Sequence, residues 1–204
     1  MSHTRAPRMS AAARRAQLLD AATRLVGERG FHGVSIESIA RSAGVTRASV
    51  YQHFPDLHAV LEAVIERETS RALAQVSQTA LPEPSDGDRS AVMLESLRAY
   101  LLAVQNQPST WRLILIPPEG APKALHESIA NGRETVLDAL TLAVGSALTG
   151  SGVAPDAELT ARVLSAISDE YARLLLTDPR RFPPERLLEH ARWLLSLGVA
   201  NAPR

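Results

Sequence analysis

The residues best equipped for chemistry lie together between positions 35 and 54. There Ser35-Ile-Glu-Ser-Ile-Ala-Arg-Ser-Ala-Gly-Val-Thr-Arg-Ala-Ser-Val-Tyr-Gln-His-Phe54 lays out two short helices around a glycine turn. Ile36 and Ile39 give the first helix an apolar side, and Ala40 is small where the two helices cross closely. Gly44 suits a left-handed turn that a Cβ would penalise. Val45 and Val50 lock the second helix, which leaves Arg47, Ala48, Ser49, Gln52 and His53 on its outer side. A helix presented in this way can enter the major groove of a duplex with its N-terminal residues toward base edges, while the first helix crosses the backbone. Two short helices about a glycine also occur in α-proteins that bind no DNA, so the layout needs a second signal.

Charge supplies that signal. The 204 residues sum to a formal net charge of zero. Residues 1–55 nevertheless hold eight Arg against three acids, Asp20, Glu28 and Glu37, and the rest of the chain carries the balancing excess of acid. A basic end on an acidic body suggests one module facing a polyanion and another with a different task. The helix-turn-helix layout falls inside the basic part.

The elements that must hold this segment read as helices throughout. Leu18, Ala22, Leu25 and Val26 form one stripe of a helix from about Ala11 to Arg29, with Gly30 at its C-terminal cap. Ser35 is the expected N-cap of a helix over 36–42, and Thr46 of the next, which should end near Phe54-Pro55. Asp56 should cap a helix over 57–78 whose apolar stripe is Leu57, Val60, Leu61, Val64 and Ile65. Leu81-Pro-Glu-Pro-Ser-Asp-Gly-Asp88 reads as a loop. Further helices are expected over 89–107, 110–116, 123–148, 157–176 and 184–198, with another break at Gly150–Pro155. No strand pattern and no repeat occurs, so the fold class expected is all-α.

The remaining composition narrows the function. There is no cysteine, which removes disulfides, thiolate metal sites and cysteine nucleophiles together. The longest run of large aliphatic residues is Leu113-Ile-Leu-Ile116, far short of the ~20 apolar residues that span a bilayer. The opening segment is polar and basic with no apolar stretch, so the expectation is a cytoplasmic protein with no membrane partner. No phosphate loop, metal-ligand spacing or nucleophile elbow is present. The expectation is therefore no enzyme, no metal and no cofactor. Tyr100, Trp111, His126 and Tyr171 are the polar or aromatic side chains that could line a small-molecule pocket, with ordinary core packing the stronger reading for each. An aliphatic background around such a pocket would favour a mainly apolar ligand.

Over about residues 12–71 the chain resembles the TetR family of transcriptional repressors. The resemblance rests on Leu18-Leu19-Asp-Ala-Ala, Gly30-Phe31, Ser35-Ile36-Glu-Ser-Ile39-Ala40, Gly44-Val45-Thr46, Val50-Tyr51-Gln-His53-Phe54 and Leu61. It implies a three-helix DNA-binding head with a helix-turn-helix at 35–54, and a larger helical domain at 81–204 for ligand binding and dimerisation. The implied function is a homodimeric repressor of a near-palindromic operator in double-stranded DNA, relieved by a small molecule. Arg47, Ser49, Tyr51, Gln52 and His53 match family positions that touch bases or phosphates, and Ser35 and Thr46 match caps that donate to phosphates. Arg47 and Gln52 are the base-reading candidates, because Arg pairs with guanine O6/N7 and Gln with adenine N6/N7. Tyr51 and His53 fit phosphate contacts, or braces of their own helix.

One position departs from the family pattern. Leu57 stands where a phosphate-directed lysine is usual, and the basic arm of Arg5, Arg8, Arg14 and Arg15 could compensate for it. The resemblance further places dimerisation on helices 157–176 and 184–198, where Ala161, Ala166, Ala172, Ala191 and Gly198 would allow close approach. The alternative is a DNA-binding regulator, repressor or activator, that is constitutive or controlled by a protein rather than by a small molecule.

Overall fold

The computed structural model describes residues 9–79, 89–148 and 156–200. The expected loop at 81–88, the break at 150–155, Arg5 and Arg8 lie outside the described residues. All regular structure among the described residues is helical. Packing divides the chain into two compact units, Met1–Arg67 with Pro118–His126, and Glu68–Pro117 with Glu127–Arg204.

The first unit is built on α1 (Ala11–Arg29), α2 (Ile36–Ala43), α3 (Arg47–Tyr51) and the opening turns of α4 (Leu57–Gln78). Leu18, Leu19, Ala22, Leu25 and Val26 of α1 are buried, as are Ile36, Ile39, Val50, Phe54, Val60 and Val64. Each fully buried aliphatic side chain of this kind contributes about 1.5–3 kcal/mol. Between α1 and α2 a short 3-10 turn, Phe31–Gly33, drops Phe31 into the core. Arg14 and Arg15 lie in the first turns of α1 rather than on a free arm.

One arginine ties α4 to α1. The Arg67 guanidinium, with its side chain only 16% exposed, meets the Asp20 carboxylate at 2.8 Å. It also donates to the Ala16 carbonyl at 3.3 Å and the Thr23 hydroxyl at 3.1 Å. Residues 16, 20 and 23 share one face of α1 at helical spacing, so a single fork of N–H donors fixes both position and rotation of α4 there.

The second unit holds the rest of α4 with α5 (Arg89–Asn106), α6 (Pro108–Leu115), most of α7 (Lys123–Leu148), α8 (Ala157–Thr177) and α9 (Pro184–Ala200). Leu101 and Val104 of α5, Leu175 and Leu176 of α8, and Leu187 and Leu188 of α9 form its centre. The short α6 begins at Pro108, two residues before the expected start. Proline at the first helical position loses no hydrogen bond and arrives with a helical φ.

Two sequence expectations change here. The helix α3 ends at Tyr51, earlier than the expected Phe54-Pro55. The His53 N–H turns back to the Val50 carbonyl at 2.9 Å, three residues earlier, which tightens the chain out of α-helical register, and Pro55 disfavours helical backbone at Phe54. The second concerns the small residues meant for close approach between protomers. Ala161, Ala172 and Ala191 are already buried within one chain, and of these four alanines Ala166 alone is exposed.

Candidate nucleic-acid interface

The recognition segment is fixed by three local devices. At the start of α2, the Ser35 hydroxyl oxygen accepts from the Ser38 N–H at 3.1 Å, and the Ser38 hydroxyl oxygen accepts from the Ser35 N–H at 2.9 Å. This reciprocal pair satisfies two amides that the helix leaves unbonded. At the turn, Gly44 adopts φ +66° and ψ +34°, and its N–H reaches the last α2 carbonyls. A Cβ there would meet no atom within 4 Å, so the position calls for glycine because of its backbone angle rather than for lack of space. At the start of α3 the Thr46 hydroxyl oxygen accepts from the Ser49 N–H at 3.2 Å. In both caps the oxygen serves the helix, and the hydroxyl proton of Ser35 or Thr46 remains available to an outside acceptor.

Val50 is fully buried and anchors α3 from beneath. Arg47 is exposed on the first turn of α3, Ser49 is half-buried beside it, and Tyr51, 49% exposed, closes the helix. That exposure argues against a bracing role for Tyr51. Gln52 caps the helix and is exposed, whereas His53 is half-buried in the turn that follows. Ser35, Thr46, Arg47, Ser49, Tyr51, Gln52 and His53 thus belong to one continuous helix-turn-helix. The chemistry available there is hydrogen-bond donation by Arg, Gln, Ser, Thr and Tyr, the combination that reads base edges and phosphate oxygens. Asp56 caps α4, accepting from the Ala59 N–H at 2.8 Å, and Leu57 follows half-buried and uncharged.

Three of the four pocket candidates share one core. Tyr100 and Trp111 pack edge to face with ring centres 5.1 Å apart, and both share the core of the second unit with Tyr171. Their polar tips are satisfied inside it. Tyr100 donates to Asp169 at 3.2 Å, the Trp111 indole donates to Gln75 at 2.8 Å, and the Tyr171 hydroxyl lies 2.8 Å from His190 Nδ1. His126 is exposed and belongs to the segment 118–126 of the first unit. Core packing is therefore the role visible for the three aromatics.

Polar residues that sequence reasoning missed surround this core. Asp169 is paired with Arg133 at 2.8 Å, and Arg173 stands at 3.9 Å. Burial raises the Asp169 carboxyl above the ordinary aspartate value in spite of both guanidiniums, and burial followed by the Asp169 charge pushes the Tyr100 phenol well up. Glu68, wholly buried, accepts from the Thr110 hydroxyl at 2.5 Å and pairs with Arg71 at 3.3 Å. Among the described residues no helix is long and apolar enough to cross a membrane.

Comparison with known proteins agrees with this geometry. The profile of the family described as "Bacterial regulatory proteins, tetR family" matches residues 18–64, which span α1 to the early turns of α4. The HTH-type transcriptional activator FasR of Mycolicibacterium smegmatis is 26% identical over 191 residues, covering 93% of this chain and 84% of that protein. A TetR-like transcriptional regulator from Rhodococcus sp. RHA1 superposes with a TM-score of 0.75 at 21% identity, over 95% of this chain and all of the other. SmeT, solved as a complex with triclosan, superposes with a TM-score of 0.69 at 26% identity, over 91% of each chain. Residues 18–64, with their capped helix-turn-helix, thus form a TetR-family DNA-binding domain, and with its all-helical second unit the chain is similar along its length to TetR-type transcriptional regulators.

Proposed function

We propose that the chain acts as a homodimeric repressor of a near-palindromic operator, and that a small, mainly apolar molecule held in the second unit relieves repression. The observation that carries the DNA half is the exposed face of α3, with Arg47 at its start and Gln52 at its end, set on a rigid turn. Arg47 and Gln52 read bases in this proposal, and Ser35, Thr46, Ser49, Tyr51 and His53 hold phosphates or neighbouring edges.

Dimerisation is supported by apolar side chains left in solvent on the last two helices. Leu159 and Val163 of α8 are 60% and 50% exposed, one helical turn apart, and Trp193 of α9 is 54% exposed. Apolar groups left exposed on two helices are what a C2 partner would cover. Such a dimer places two recognition helices about 34–36 Å apart, one turn of the duplex. The small-molecule half is supported by the resemblance to SmeT, whose structure holds triclosan, and by the apolar centre of the second unit.

FasR, an activator by name, favours a second reading in which binding raises transcription instead. One set of experiments decides. Selection of bound duplexes from a random pool should return an inverted repeat, and sedimentation should give a dimer. A reporter carrying that repeat should fall on expression of the protein under the first reading and rise under the second. Triclosan and other apolar molecules should raise the melting temperature if the second unit binds them. Selected duplexes without symmetry, bound by a monomer, would refute the dimeric arrangement.

A further inference from the structure

The first unit carries more arginine than its contacts consume. Arg41 is paired with Glu37 at 2.8 Å and Arg67 with Asp20 at 2.8 Å, so those two charges are largely neutralised. Arg14 donates to Gln17 at 2.6 Å, and Arg24 reaches the Ser42 hydroxyl at 3.4 Å. Like Arg14 and Arg24, Arg15 keeps its charge, but it alone of these five is held against an aromatic ring. Its guanidinium lies over the Phe54 ring, 4.8 Å from the centroid, and among the described residues it has no carboxylate partner.

A ring fixes a cation in a way that a carboxylate does not. The attraction to the ring face restrains the guanidinium but leaves its full positive charge. Stacking also occupies the flat face, so the N–H donors around the edge stay free for a bidentate acceptor. The ring itself is well held. Phe54 is 3% exposed, and its N–H bonds the Val50 carbonyl at 3.0 Å, immediately behind α3. Arg15 therefore stands beside residues 52–57, at the C-terminal end of the recognition helix, where Asp56 and Leu57 supply no cation. A duplex that admits α3 to its major groove has a phosphate backbone along each side of that groove, about 12 Å apart.

We infer that Arg15, seated on Phe54, is a DNA-phosphate contact that serves the start of α4 in place of a cation at position 57. The inference rests on the proposed docking of α3 in the groove. It deepens that docking by naming a positioning contact that carries no base specificity, as phosphate contacts do.

The test is the salt dependence of binding by the full chain to a random-sequence duplex. Arg15→Gln should lower the slope of log K against log salt by about 0.9 per bound protomer, the counterion release of one phosphate. Arg15→Lys should keep most of the slope. Arg180→Gln, which removes the same unit of charge from an exposed site in the second unit, should leave it unchanged. An unchanged slope in Arg15→Gln overturns the inference, and so does an equal loss in Arg180→Gln. A wild-type chain that binds duplex with no salt dependence would instead sink the α3 docking itself.

A second measurement needs no variant. Phenylglyoxal modification of the wild-type chain, read by mass spectrometry, should mark Arg15 in the free protein and spare it when duplex is bound. Equal labelling in both states overturns the inference.

Discussion

The Thr110 hydroxyl donates a hydrogen bond to the Glu68 carboxylate across 2.5 Å, with both side chains almost wholly out of solvent. A buried carboxylate is tolerated only where donors replace its hydration, and here Thr110 on α6 and Arg71 on α4 do so. The bond ties α6 to α4 at one register, since sliding α6 by one residue would carry the Thr110 hydroxyl away from the acid. Thr110→Val keeps the shape and removes the donor. The expected cost is about 1–3 kcal/mol, that of a buried acceptor left short of a partner. Urea denaturation should show a lower midpoint at an unchanged m-value. A midpoint equal to wild type would mean that the carboxylate finds water or another donor at no cost.

The turn glycine offers a cleaner backbone test. Gly44 sits at φ +66° with open space where a Cβ would go. Alanine at this position meets no clash, so its cost is only the left-handed conformation, about 1–2 kcal/mol. Gly44→Asn should recover part of that loss, because asparagine visits this region far more readily. Thermal denaturation of the two variants checks the order. Alanine as stable as asparagine would contradict the backbone account.

The caps, the glycine turn and the inward stripes were legible in the sequence because each is a local matter. Ser35, Thr46, Asp56 and Gly44 act within three or four residues of themselves, and composition plus spacing is enough to assign them. Glu68 was not legible, because it stands in the polar run Glu66-Arg-Glu-Thr-Ser-Arg71 that reads as a solvated face. Its partner Thr110 is 42 residues away, and the Tyr100–Asp169 bond spans 69. The end of α3 was misplaced for a related reason. Val50 to Phe54 has helical composition, yet the turn tightens there to drop the Phe54 ring into the core. Arg15 was grouped with a basic arm because nothing in the sequence links it to Phe54, 39 positions later.

Asp169 gives a pH dependence with a definite sign. Its carboxyl is raised in the folded chain, chiefly by burial, so the native state holds the proton more tightly than the unfolded chain does. Its contribution is therefore fully present below the ordinary aspartate value and is lost as pH rises through the higher folded one. Asp169→Asn cannot titrate. The stability of wild type relative to this variant should shrink as pH rises above the ordinary aspartate value, read from urea midpoints at each pH. An advantage that grows as pH rises would mean that pairing with Arg133 and Arg173 outweighs burial.

Base reading and phosphate holding separate experimentally at Arg47 and Leu57. Arg47→Ala removes a bidentate donor from the first turn of α3, which should cost about 1–3 kcal/mol on the selected operator and relax preference at the base pair it faces. Binding to random duplex should persist with weak, salt-sensitive affinity, since phosphate contacts carry that part. Leu57→Lys does the reverse. It adds a cation next to the capped start of α4, so operator and random duplex should both bind more tightly, with the salt slope steeper by about 0.9 per protomer and preference unchanged. The two variants together form a discriminating pair. If Arg47→Ala weakened all duplexes equally, or Leu57→Lys sharpened preference without changing the slope, the assigned register of α3 on DNA would be wrong.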